Sequence, residues 1–235
     1  MTLSPIKRSG TLVEEVCRRL AGEIRNRTVA NEGWLPSERE LAERLGVSRP
    51  VVREATKRLE LQGLLEVQHG KGTRVTDKLH RPLNGSVSLM IPDAAERLRQ
   101  LSEARVLIEP SLARLAAERA SGRELKDLRR THARLLAAAN DEECIEADLE
   151  FHRQIALAAG NEICALLLES LAELGRESRK MTLVAAGKKR AVEHHALILG
   201  AIERRDSQAA HDAMLMHLRQ AVIDIAEGIK QAKRK

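Results

Sequence analysis

The sequence predicts a mainly α-helical protein in two unlike parts: a short N-terminal part that closes with a β-hairpin, and a longer C-terminal part that is an antiparallel all-helical bundle of six to seven helices. Three observations carry this. The 235 residues include one Trp, one Phe and no Tyr, so the core must be built from Leu, Ile, Val and Ala. Abundant Ala, Leu, Glu and Arg with few Gly and Pro favour helix. Apolar residues recur at helical spacing through most of the chain. The character changes once, where Pro82, Asn84, Gly85 and Pro92 gather turn and breaker residues. These place an N-terminal domain at 1–77, a linker at 78–92 and an all-helical domain at 93–235.

In the first part, Leu12, Val16, Leu20 and Ile24 mark one helix. A second starts at Pro36-Ser37, where Ser37 and Glu40 form a capping box, and Leu41 and Leu45 share a face. Gly46 stops it. Val47 bridges to a third start at Ser48, with Pro50 in the first turn, where a missing N–H costs nothing. That helix runs through Val51, Ala55 and Leu59 to Gly63. Residues 64–68 and 73–75 then read as two short strands around His69-Gly70-Lys71-Gly72. Helix, helix, tight turn, helix and hairpin make a winged helix-turn-helix.

In the second part, helices are expected over about 93–119, 122–139, 141–159, 162–181, 188–204 and 206–229, with Ser121 and Glu124 as another capping box. No run approaches the roughly 18 apolar residues of a membrane span, and the polar first ten residues carry no signal core. The odd number of cysteines, Cys17, Cys144 and Cys164, with no CxxC pair, points to a reducing cytoplasm and to thiols packed as small hydrophobes.

The net charge of +6 is compatible with a nucleic-acid partner. A helix N-terminus offers free N–H groups and the positive end of its dipole to phosphate, and its first residues can reach base edges. Ser48, Arg49 and Arg53 occupy that place, and the two arginines are four apart on one face. Arg39 opens the preceding helix, and His69, Gly70 and Lys71 form a positive wing tip. Any single one of these is an ordinary surface residue; the ordered set is what points to double-stranded DNA.

The runs Leu35-Pro36-Ser37-Glu38-Arg39-Glu40-Leu41-Ala42, Leu45-Gly46-Val47-Ser48-Arg49 and Val52-Arg53-Glu54-Ala55, with Leu59 and Gly63-Leu64, resemble the GntR family of bacterial regulators. The resemblance covers about the first 76 residues. It implies that Arg39, Ser48, Arg49, Arg53, His69 and Gly70 contact an operator. Pro50 departs from the small polar residue common there, which removes one phosphate contact.

In the bundle, polar groups fall on apolar faces. Asp148 and His152 lie four apart beside Ile145, Leu149 and Ile155. His195 joins Val192, Ile198, Leu199 and Ile202, with His194 the competing candidate one residue away. His217 sits among Ala213, Met214, Ala221 and Ile225, while His132 and His211 read as surface residues. One inward histidine is usually a satisfied core residue. One Asp and three His from three helices form a divalent-metal set, suited to Zn, Ni, Mn or Fe. Arg105 shares a stripe with Leu101, Ile108 and Leu112, so its guanidinium needs an anion: Glu109, four residues on, or the carboxylate of a bound ligand.

Glu103-Ala104-Arg105, Glu109, Asp148-Leu149-Glu150-Phe151-His152, Gly160-Asn161, His195, Ala201-Ile202 and His217-Leu218 resemble the FCD domain of the FadR-type branch of GntR regulators, over about 93–226. The resemblance implies metal ligation by Asp148, His152, His195 and His217, and a small organic acid, a sugar acid or hydroxy acid, at Arg105. It also implies a cytoplasmic homodimer on a pseudo-palindromic operator, acting as a repressor rather than an enzyme. Two other readings stay open: a metal-dependent hydrolase fused to a DNA-binding module, for which no separate general base is visible, and an architectural DNA-binding protein with a structural metal.

Overall fold

Side-chain spacing along the chain becomes helix faces in a computed structural model, which describes residues 11–26, 33–68, 70–76 and 86–232. Its contacts divide the chain into Met1–Pro82 and Leu83–Lys235.

The first unit contains α1 (Leu12–Arg25), α2 (Glu38–Leu45), α3 (Arg49–Leu61), β1 (Leu65–Gln68) and β2 (Gly72–Val75). Val16, Leu20, Leu41, Val52, Ala55, Leu59 and Leu65 form its core. Each large aliphatic side chain buried there contributes about 1.5–3 kcal/mol of transfer free energy. Ser37 and Glu40 close the expected capping box, and a second, Thr11 with Glu14, starts α1. Gly46 ends α2 in the left-handed region at φ 66°, which a side chain would strain, and so sets the tight turn into α3. Strands β1 and β2 pair antiparallel from Leu65 opposite Val75 to Gln68 opposite Gly72. The segment before α2 also joins the hairpin: Val75 N–H donates to Gly33 O at 2.7 Å and Leu35 N–H to Thr73 O at 2.8 Å.

The second unit contains α4 (Ala94–Arg119), α5 (Gly122–Ala137), α6 (Asp141–Ala158), α7 (Glu162–Ser170), α8 (Ala172–Glu203) and α9 (Ser207–Ala232). Residues 86–90, inside the stretch read as a linker, are helical. Helix α9 packs along α8 and α4, α5 lies on α6, and α6 touches α4 and α8. The main core joins Ala113, Ala116, Leu128, Phe151, Ile155, Ile198, Ile202 and Met214. Small residues let helices approach closely. A Cβ on Gly228 of α9 would lie 2.3 Å from the Met181 carbonyl oxygen of α8.

Two boundaries differ from the sequence reading. The helix expected over 162–181 is interrupted at Leu171, whose backbone (φ −101°, ψ 8°) leaves helical geometry between α7 and α8. No Gly or Pro marks that break, so apolar periodicity ran through it. The expected break at Gly187 is present as a kink inside α8, with φ 67° and ψ 179°.

Candidate nucleic-acid interface and metal centre

In the first unit, Ser48 caps α3 with extended backbone, and its hydroxyl makes no capping hydrogen bond. The first turn of α3 carries no acidic residue, so its positive end faces outward uncompensated. Arg49 is exposed. Arg53 Nη2 donates to Glu38 Oε2 at 2.9 Å, and Arg39 Nη1 donates to Glu43 Oε1 at 3.0 Å. Both pairs are exposed and weak, and phosphate oxygens can replace the carboxylates. Gly70 has φ 76° and Lys71 is exposed at the wing tip. His69 lies outside the described residues.

In the second unit, four helices bring charged and imidazole groups into one interior place. Helix α4 supplies Arg105 and Glu109, α6 supplies Asp148 and His152, α8 supplies Arg179 and His195, and α9 supplies His217. All seven are buried. His152, His195 and His217 each place a ring nitrogen within 4.8 Å of the others. His217 Nε2 and His152 Nε2 face each other at 3.3 Å. Asp148 Oδ1 is 3.3 Å from His195 Nε2, and Asp148 Oδ2 is 3.7 Å from His152 Nε2. His195 stacks on Phe151, centroids 4.2 Å apart. Neither ring nitrogen of His195 has a hydrogen-bond partner among the described residues, although both are buried.

The electrostatics fit a cation. Burial pushes His195 down to about 3, with Asp148 offsetting part of the shift and His152 and Arg179 adding to it. Burial first, then His195 and His152, holds His217 well below its ordinary value. Both imidazoles are therefore neutral near pH 7, the form that donates a lone pair. Burial alone would raise Asp148, but Arg179 and the imidazoles outweigh it and keep the carboxyl ionised far below its usual range. Unpartnered buried nitrogens are costly. Convergent neutral imidazoles beside a carboxylate are a donor set that a divalent cation satisfies.

Around this set, Glu109 joins two residues. Its Oε1 accepts from Arg105 Nε at 2.6 Å, and its Oε2 contacts His152 Nδ1. A carboxylate on Nδ1 leaves Nε2 as the ligating nitrogen. Burial would raise Glu109, but Arg105 and His152 overcome it and hold the carboxyl low. Arg179 Nε donates to Asp148 Oδ2.

A narrow cleft, partly open to solvent, adjoins the set and is lined in part by Arg105, Asp148, Arg179 and His217.

The structure brings His152, His195 and His217 together with Asp148 beside them; His194 instead lines the cleft, its ring centroid 5.6 Å from that of His217. Arg105 takes the Glu109 partner and also lines the cleft. His132, expected at the surface, is half-buried with its ring centroid 6.3 Å from that of Phe151, while His211 pairs with Asp212 at 2.9 Å. Arg179 was not anticipated. Its signal is the buried run Leu174, Gly175 and Ser178, whose small residues make a weak apolar stripe.

The family model described as bacterial regulatory proteins, gntR family, matches residues 12–75, and the FCD domain model matches residues 100–220. The HTH-type transcriptional regulator YcbG of Bacillus subtilis is 32% identical, over 94% of this chain and 93% of its own length. The HTH-type transcriptional repressor NanR of Cronobacter sakazakii is 32% identical over 90% of this chain and 83% of its own length. Among solved structures, Streptococcus agalactiae GntR superposes with a TM-score of 0.67 at 31% identity, covering 90% of this chain and 99% of that one.

Proposed function

Because this chain belongs to the GntR family of bacterial transcription regulators and carries an FCD domain, we propose that its operator binding is controlled by a small carboxylate effector, a sugar acid or hydroxy acid, bound beside a metal ion in the helical domain. Membership in the family makes it a DNA-binding regulator and not an enzyme. Among the described residues, no helix is long and apolar enough to cross a membrane.

The observation that carries the proposal is the buried convergence of His152, His195 and His217 with Asp148, of which His217 and Asp148 line a cleft together with two buried arginines, Arg105 and Arg179. A divalent cation held by Asp148, His152, His195 and His217 supplies a Lewis-acidic contact for a carboxylate oxygen. The charges support an anionic ligand. Arg105 and Arg179 are already balanced by Glu109 and Asp148, so the double charge of a metal calls for further anions. Arg105 and Arg179 orient the carboxylate, and Glu109 keeps His152 in its ligating tautomer.

In this reading the protein is a cytoplasmic, FadR-type homodimer, with domains at 1–77 and 93–235 joined by a linker over 78–92. Arg39, Ser48, Arg49, Arg53, His69, Gly70 and Lys71 contact the operator. The effector acts only through a difference in affinity between the operator-bound and released states, and repression relieved by the acid is the expected direction. The test begins with duplexes selected from a random-sequence library by the purified full-length protein. Affinity for the selected duplex is then titrated with a panel of carboxylic acids, with and without a metal chelator. Sequence-selective binding that one class of acid weakens only in metal-loaded protein is expected. Selective binding that no acid and no chelation alters would overturn the sensing role.

A further inference from the structure

The outer face of α9 is partly apolar. Asp212, Met216, Arg219 and Ile223 follow one another at spacings of four, three and four, so they lie on one side of the helix. With Leu215 they line a shallow surface groove. Met216 and Ile223 are 47% and 53% exposed. Exposed apolar side chains are ordinary taken singly; the charges on this stripe are what select an occupant. Asp212 is exposed and accepts from Gln208 and His211 of its own helix. Arg219 is exposed and has no ion pair or hydrogen bond among the described residues.

The stripe is self-complementary under a twofold axis. Asp212 and Arg219 are seven residues apart, roughly 10 Å along α9, with Leu215 and Met216 midway between them. Two copies of α9 laid antiparallel about that midpoint set Asp212 opposite the partner's Arg219, and Arg219 opposite the partner's Asp212. Leu215 and Met216 of both copies then meet around the axis. An isologous contact needs this reciprocity, in which residue i meets j and j meets i.

We propose that α9 pairs antiparallel with α9 of another copy of this chain, and that this contact joins one homodimer to another. The second clause rests on the homodimer of the reading above. Permanent interfaces are more apolar than transient ones. Helix α7 offers the more apolar stripe, Ile163, Leu166 and Leu167, all exposed and with no charge among them. The α9 stripe carries a cation and an anion, which fix register and add little affinity, so it makes the weaker and more salt-sensitive contact. Joining two dimers gathers four winged units, and one assembly then holds two operators, the second at the high effective concentration that linkage gives.

The test is sedimentation velocity of the full-length protein from about 1 to 100 μM at low salt, where a concentration-dependent step beyond the dimer is expected. Asp212→Arg leaves a cation at both positions and Arg219→Asp a carboxylate at both, so each variant alone sets like charges opposite each other and should weaken that step at least about ten-fold. An equimolar mixture of the two variants opposes two cations to two carboxylates and should regain it. Met216→Lys, which brings like charges together at the axis, should lose the step alone and in either mixture. Wild type that stops at the dimer, variants that associate as wild type does, or a mixture that regains nothing overturns the α9 contact and leaves the homodimer standing. Monomeric variants place the stripe inside the dimer and overturn a contact between dimers. Wild type that never dimerises overturns both. If a charge variant does not fold, the wild type decides through salt: association that is unchanged at about ten-fold higher ionic strength overturns the charge pairing.

Discussion

Glu109→Gln exchanges one carboxylate oxygen for an amide nitrogen at a position where both oxygens are engaged, one by Arg105 and one by His152. The amide has one accepting end and one donating end. If the NH2 faces His152, the imidazole must accept at Nδ1, which moves its proton to Nε2 and removes a ligand lone pair. If the NH2 faces Arg105, two donors meet and a buried guanidinium loses its counter-charge. Either orientation costs the metal set: affinity is expected to fall about 10–100-fold, the range for losing a group that orients a ligating histidine. Glu109→Ala removes both bonds and strands Arg105, which is expected to destabilise the metal-free helical domain by about 3–5 kcal/mol. Metal affinity is read by competition with a chromophoric chelator, and stability by denaturant unfolding of the chelated protein. A Glu109→Gln protein that holds metal within about three-fold of wild type would refute the tautomer argument.

Further outcomes follow from the same geometry. His195 titrates near 3 in the folded chain against an ordinary 6.5. Below pH 6.5 the unfolded chain gains protons that the folded one refuses, so metal-free stability should decline as pH falls, and the loss continues toward the folded value. Asp148 and Glu109 are held low, so their contribution is lost only below the ordinary carboxylate values of 3.8 and 4.5. A decline between pH 6.5 and 4.5 that is as steep in His195→Leu as in wild type would contradict this. Arg49→Ala at the start of α3 should weaken selected-duplex binding about 10- to 100-fold while thermal stability stays unchanged, measured by fluorescence anisotropy. Gly228→Ala places a methyl against the Met181 carbonyl oxygen and should lower the thermal midpoint, with a cost of roughly 1–3 kcal/mol. A stabilised Gly228→Ala protein would show that α8 and α9 do not approach so closely.

What the sequence made legible was what local chemistry writes directly. Ser37 with Glu40, Ser121 with Glu124, Gly46 and Pro50 fix helix starts and stops within a few residues, and each is found where those residues put it. Asp148, His152, His195 and His217 stood out because polar groups interrupted otherwise apolar stripes. The choice of His195 over His194 followed from the stripe of Ile198, Leu199 and Ile202, with which His195 is fully buried. The break at Leu171 was illegible because a distorted turn without Gly or Pro leaves periodicity intact. Arg179 was hidden because its neighbours on the buried face are Gly175 and Ser178, and its partner Asp148 lies 31 residues away. The third segment of the wing, from Gly33 to Leu35, rests on pairing with Thr73 and Val75 that no local pattern announces.

The most direct test of a metal-dependent sensor is elemental analysis of protein purified without chelator, wild type beside His152→Ala/His217→Ala, with thermal midpoints recorded against a panel of carboxylic acids. Near-stoichiometric divalent metal in the wild type, its loss in the double variant, and stabilisation by one class of acid only in the metal-loaded protein are the predicted results. Metal-free wild-type protein that refuses added Zn, Ni, Mn and Fe, and whose midpoint no acid shifts, would contradict the account.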